Sequence, residues 1–337
     1  MGSSRWLSFA VVALLLTGPV AAQQQQYTFA TVANMNHLPE FVGVEKGIFV
    51  KHGLDLKVKV LGTGSEVVRA FESGEAQFIA QNPTTQAASA ANGIHLLAVC
   101  EIMGDPTRVY YDDMFTVTAR NGSGIRPGHI EDLVGKRVGF AFASNEEEYL
   151  RDVLAKANIP VDKVTFVNVP PSEHVPVMRQ GGVDAMVTWE PYGTMILGQI
   201  PGTILVKRGG GYLGYSLWMG SSNDYVTKNP DIMQKLVEAM AESEWYIRTH
   251  PKEAADVATH WIEGLDAKSA EKAVTYMNFD PRFGKNIMAA ANLEQDYLIK
   301  NGRVKASVDF STTTTNSFID KAMHAEPQYF KDLKPIR

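Results

Sequence analysis

Two short stretches of the chain end in residue types suited to holding a small molecule. Residues 73–84 read SGEAQFIAQNPT and residues 181–192 read GGVDAMVTWEPY. In each, nine positions take a glycine (Gly74, Gly182) to a proline (Pro83, Pro191), with a short apolar run between. Asn82 in the first copy stands where Glu190 stands in the second. Asn82 and Thr84 offer hydrogen bonds in both directions, the Glu190 carboxylate accepts from N–H groups, and the Trp189 indole offers a flat stacking face. Each copy follows a Ser-Glu helix start, Ser65-Glu66 or Ser172-Glu173. The apolar runs read as strands and the prolines as helix openers, since proline suits a first turn whose N–H has no partner. Strand ends that feed helix N-termini are where open α/β sheets bind ligands. The plainer account makes Trp189 a core residue and Asn82, Thr84 and Glu190 helix caps.

Further candidates follow the same logic. Asn36 and His37 come directly after the first strand, Ser65 opens a helix, and Tyr215 and Trp218 lie on an extended apolar stretch as stacking surfaces or core residues. Asp112-Asp113 reads as a solvated turn. The histidines are scattered without H-x-x-x-H spacing, so no metal site is expected. There is no G-x-S-x-G, no P-loop and no other catalytic motif. No catalytic residue and no cofactor are expected; the chemistry is binding in a closable cleft.

Positioning these residues takes an alternating chain. Residues 27–33 alternate as a strand and 38–50 carry helical spacing up to Lys51-His52-Gly53. Leu54, Leu56, Val58 and Val60 share one face of a strand. The first repeat copy follows, then apolar strands at 95–102 and 114–119. A second series runs from 136: strand, helix over 145–158, strand at 164–169, helix over 173–180, the second repeat copy and a strand at 203–206. After a last extended stretch, 215–220, the chain is helical over 231–249, 252–263, 267–277 and 285–301. Strands alternating with helices predict an α/β fold of two lobes, each a mostly parallel sheet flanked by helices. Residues 27–118 and 216–337, with the C-terminal helices, form the first lobe, and 119–215 the second. Two extended strands near 114–119 and 215–220 make the hinge.

The 337 residues suit two lobes better than one. A content of 45% hydrophobic and 20% charged residues is that of an ordinary globular protein. Arg5, the apolar run 6–16 and the small residues before Gln23 form a secretory leader, 1–22, cleaved near Ala22. Without Arg5 the charge is 31 basic against 37 acidic residues. No Lys/Arg stripe is present, so nucleic acid is not an expected partner. Cys100 is alone in an apolar run, where a small buried core residue is expected.

Four segments, in order along about 40–220, carry a resemblance. They are Gly47-Ile48-Phe49 with Lys51-His52-Gly53-Leu54; residues 73–78; residues 132–139; and Val183-Asp184-Ala185 with Trp189-Glu190-Pro191-Tyr192. With them the chain resembles the periplasmic substrate-binding proteins of ABC importers, in the NMT1/THI5-like branch of sulfonate, taurine, nitrate and thiamine-precursor binders. The resemblance implies a type II two-lobed fold, a monomer in the periplasm, and delivery of a small solute to a permease in the inner membrane. It also implies that Ser65, Ser144 and Asn145, at helix N-termini, hold an anion, which free N–H groups and the helix dipole favour. Glu146, Glu147 and Glu148 stabilise a helix start but would repel an anion if turned inward. Glu190 in the cleft would instead suit an N–H-bearing ligand, with Trp189 stacking on it. The solute stays open among sulfonates, aromatic carboxylates and N-heterocycles. An enzyme resembling the pyrimidine-synthesising members is the alternative, though their Cys-rich motif is missing. A regulator's effector domain would need a DNA-binding segment, and the leader argues against it.

Overall fold

The computed structural model describes residues 25–142, 144–304 and 307–336. The leader expected over 1–22 lies outside the described residues. The first lobe starts with β1 (Gln26–Val32), α1 (Leu38–Glu45), α2 (Ile48–Lys51), β2 (Asp55–Leu61), α3 (Gly64–Glu72), β3 (Phe78–Gln81), α4 (Pro83–Ala91) and β4 (Leu96–Met103). The second holds β5 (Phe115–Ala119), β6 (Arg137–Phe140), α5 (Asn145–Lys156), β7 (Thr165–Asn168), α6 (His174–Gln180), β8 (Ala185–Trp189), α7 (Tyr192–Gln199) and β9 (Ile204–Arg208). The chain returns through β10 (Leu217–Ser222) and α8 (Asn223–Lys228). It ends in α9 (Pro230–Thr249), α10 (Pro251–Trp261), α11 (Ala267–Val274), α12 (Lys285–Lys300) and α13 (Ser317–Ala325).

Two five-stranded sheets result, ordered β2-β1-β3-β10-β4 and β7-β6-β8-β5-β9. Each is mixed. Four strands of the first run parallel and β10 runs against β3 and β4. In the second, β5 runs against β8 and β9. The reversed strand in each sheet is the one that has just arrived from the other lobe. The two repeat copies are β3 and β8, the middle strand of each sheet. All four residues of β3 are buried, three of them apolar and the last, Gln81, polar. On β2, by contrast, Leu56 is buried but Val60 is 38% exposed, because β2 is a sheet edge.

Helix starts form where the sequence supplies acceptors. Thr63, Asn82 and Ser144 each take a backbone N–H of the first turn of α3, α4 or α5, an N-cap worth about 1 kcal/mol. Pro191 is the N-cap of α7, one residue before the helix that it was expected to open.

The chain leaves the first sheet at Met103 and enters the second at Phe115, then leaves at Arg208 and re-enters at Leu217. Residues 115–119 are therefore ladder, not hinge, with Met114 the last residue of the crossing, and the boundary expected at 118/119 falls inside β5. The crossings are 104–114 and 209–216, and they lie side by side. Tyr215 donates its N–H to the Tyr111 carbonyl at 3.1 Å. Asp112, expected as solvated, is 1% exposed and accepts from the N–H groups of Gly211 (3.1 Å) and Tyr212 (2.8 Å). A side chain at Gly214 would stand 2.6 Å from the Val109 carbonyl, so only glycine admits this approach.

The helical tail packs mainly on the first lobe, with α9 and α10 against α1 and α12 against α4. Its α11 also touches α7 of the second lobe. Cys100 is fully buried in the core.

Candidate ligand-binding cleft

The carboxyl ends of β1, β3 and β8 and the first turns of α3, α4 and α5 open onto one cleft of about 1250 Å³ between the lobes. After β1, Asn34 accepts the Asn36 N–H at 2.9 Å, and the Asn36 amide donates to the Tyr215 hydroxyl at 2.9 Å. That contact fixes the amide and leaves Asn36 Oδ1 buried without a partner. His37 Nδ1 lies 3.0 Å from Glu40, whose carboxyl is pushed up by burial and partly pulled back by His37. Asn82 caps Thr85 at 2.8 Å and donates to Asn145 Oδ1 of the other lobe at 3.2 Å. Ser144 caps Glu146. The Trp189 ring is half-buried on the wall, its edge against Phe115 and its N–H unpartnered. Ser65 is exposed at the rim.

Asn36, His37, Ser65, Asn82, Thr84, Ser144, Asn145, Trp189 and Tyr215 are thus brought together around the cleft. Glu190 and Trp218 are not, and the expectation for both is corrected. Successive side chains of a strand point to opposite faces, so with Trp189 on the cleft, Glu190 turns the other way. It is fully buried, 2.5 Å from Arg208 Nη1, and accepts the Thr194 N–H at 3.1 Å. The Arg208 guanidinium lies 3.5 Å above the centre of the Tyr276 ring. On β10 the same alternation gives Leu217 to the cleft and sends Trp218 to a core cluster, edge-on to Phe283 and Phe310.

Three polar residues of the site were missed. Gln81, the last residue of β3, lines the cleft at 1% exposure with neither amide atom partnered. Its place beside Asn82 was the available signal. Glu148, one turn into α5, faces the cleft. Glu294, on α12, stands behind the lining and touches two residues of it, Thr84 and Asn145, and nothing local in the sequence marks it. Burial raises the carboxyls of Glu148 and Glu294; repulsion from Glu294 raises Glu148 further, while hydrogen bonds from Thr84 and Asn145 pull Glu294 partly back. Glu147 is held by Arg151 (2.9 Å) and by Arg303 (2.7 Å). Glu146 is buried, its carboxylate taking the Ala141 N–H at 2.7 Å.

The family model described as NMT1/THI5 like matches residues 34–254, about two thirds of the chain. The chain belongs to the NMT1/THI5-like family. Among curated relatives, a binding protein of Brucella abortus (strain 2308) is 23% identical over 225 residues, 66% of each chain. The match therefore spans just under two thirds of that relative's length. Among solved structures, the periplasmic aliphatic sulphonate binding protein of Escherichia coli superposes with a TM-score of 0.73 at 16% identity, covering 86% of this chain and 97% of the other. A desulfurization enzyme, DSZB, superposes at 0.66 with 16% identity over 89% and 99%. The type II binding-protein fold is common to these neighbours. No helix among the described residues is long and apolar enough to cross a membrane.

Proposed function

We propose that this protein is the solute-binding component of an ABC importer. It is exported, with its leader cleaved near Ala22, and its two lobes close on a small organic solute that it hands to a permease in the inner membrane. The observation that carries the reading is the cleft itself: about 1250 Å³, walled by both sheets, with the lobes joined by two adjacent crossings. Such paired crossings let two lobes hinge about a bound molecule. Buried, unpartnered polar groups on the walls (Asn36 Oδ1, Gln81, the Trp189 N–H) support a ligand that completes them. The binding-protein names of the relatives support the same reading.

The enzyme alternative, raised again by the DSZB neighbour, needs an activated nucleophile or acid–base pair in the cleft. Among the described residues the hydroxyl–imidazole contacts Thr188–His174 and Thr249–His250 lie off the cleft, whereas His37, paired with Glu40, lines it, so the alternative turns on whether a bound compound is converted. A thermal-shift screen of small solutes, followed by X-ray scattering with each hit, tests the proposal. Solute at 100 times its Kd adds about 2.7 kcal/mol of stability. The expected result is a raised Tm, a smaller radius of gyration, and the compound recovered unchanged. Recovery of a converted compound would overturn the binding-protein reading in favour of the enzyme.

A further inference from the structure

The helices α4 and α5 start on opposite sides of the cleft, one in each lobe, and their N-termini meet through the Asn82–Asn145 contact. Two helix N-termini that meet bring the positive ends of two dipoles together, which favours negative charge there. That seat already holds a carboxylate. Glu294 reaches in from α12 at 1% exposure. Its Oε1 accepts from Asn145 Nδ2 at 2.8 Å and from the Thr84 hydroxyl. The backbone N–H of Thr84, in the first turn of α4, also bonds to it. One carboxyl group thus takes the Thr84 N–H of α4 and the Asn145 side-chain amide of α5, and ties the lobes together. Glu148 stands beside it, and the nearest guanidinium, that of Arg303, is engaged by Glu147. Arg179 is exposed at the rim. An anionic solute would find the place where helix dipoles would otherwise welcome it already filled by the Glu294 carboxyl group.

A second observation points to what does bind. Gln81 is buried with both amide atoms unpartnered, Asn36 presents a free Oδ1 locked by its bond to Tyr215, and Trp189 presents a free N–H. These three cleft-lining residues leave an acceptor, a donor and a whole amide unpartnered, and carry no charge. Their complement is a molecule with a neighbouring N–H and C=O. We propose that Glu294 sets the charge specificity of the cleft by occupying its anion seat, and that the solute is an uncharged amide, lactam or ureide held by Asn36, Gln81 and Trp189. An aliphatic sulphonate, the solute named for the Escherichia coli neighbour, is then rejected.

The inference rests on the binding-protein reading in taking the cleft as the solute's seat. Its test compares wild type, Glu294→Gln and Glu294→Ala by calorimetry with ethanesulfonate and with a panel of 2-pyrrolidinone, nicotinamide and allantoin. Wild type is expected to ignore ethanesulfonate up to about 10 mM, while Glu294→Ala gains at least about 10-fold in affinity for it. At least one member of the panel should bind wild type, and Gln81→Ala should weaken it about 10-fold. Glu294→Gln keeps the shape and the hydrogen bonds, so it stays folded if the alanine variant does not. Ethanesulfonate binding to wild type overturns the proposal, whatever the variants do. So does a folded pair of variants that bind it no better than wild type, or a panel with no binder. Conversion of a panel member would instead defeat the binding-protein reading and leave the charge rule standing.

Discussion

His174 shows how much one buried side chain can set. Its imidazole is fully buried, with Nδ1 2.8 Å from the Thr188 hydroxyl and Nε2 3.0 Å from the Val169 carbonyl. Glu146, the carboxyl facing it at 3.7 Å, is itself pushed well above the usual range by burial, so it offers little negative charge. The Tyr192 ring packs edge-on at 5.7 Å. Burial drives the imidazole down to about 4, while the unfolded chain titrates near its ordinary 6.5. The folded state therefore binds fewer protons between these values, and its stability falls as pH drops from 6.5 toward 4. The full difference is about 3 kcal/mol. Urea unfolding at neutral pH and near pH 4.5 should show His174→Gln losing about 2 kcal/mol less than wild type over that interval. Equal losses in the two proteins would mean that His174 does not carry the acid sensitivity. At this scale the sequence pointed to Glu190 as a cleft residue, but not to the side it faces. Identity and spacing locate a strand end; they do not say which face another lobe will cover.

At the scale of elements, Trp189 and Trp218 make the same point in opposite senses. Each is on a strand beside the cleft, and each is large, flat and apolar. Trp218 lies against Phe283 and Phe310 on the far side of its sheet, where truncation leaves a cavity. Trp218→Ala should cost about 3–5 kcal/mol in denaturant unfolding. Because Leu217 is its neighbour on the cleft face, solute affinity should hold for the fraction that folds. Trp189→Ala, half-buried, should cost clearly less stability and about 10-fold or more in affinity, read by calorimetry. The reverse pattern would put the wrong face of β10 in the cleft. The helix starts at Asn82 and Ser144 were legible because capping is local: an acceptor and the N–H that it takes are two or three residues apart, while α3 is capped by Thr63, two residues before the Ser65 expected to open it. Glu294 was illegible for the converse reason, since its Thr84 partner is 210 positions away and only tertiary packing brings them together.

At the scale of the whole molecule, the repeated stretch proved the best guide, because a strand in the middle of a sheet is buried on both faces and reads as a short, mostly apolar run. Both copies became the middle strands. The hinge was the weaker reading: Phe115–Ala119 is as apolar as a crossover would be, and only its pairing with β8 and β9 shows it to be ladder. The placement of β10 between β3 and β4 also dictates an order of assembly. Every strand of the second sheet lies within residues 115–208, a continuous stretch of chain. The first sheet has its missing strand at 217–222, beyond all of the second. Until that strand arrives, β3 and β4 present unpaired edges of the kind that recruit other chains. A nascent or refolding molecule thus completes its inserted lobe first and stays adhesive along the gap in the other. Pulse-labelled hydrogen exchange during refolding should find the amides of β6 and β8 protected before those of β3 and β4. Simultaneous protection would mean that the gap closes without delay. Closing that gap and forming the solute cleft are one event, since β10 emerges from the second crossing, which carries Tyr215 into the wall.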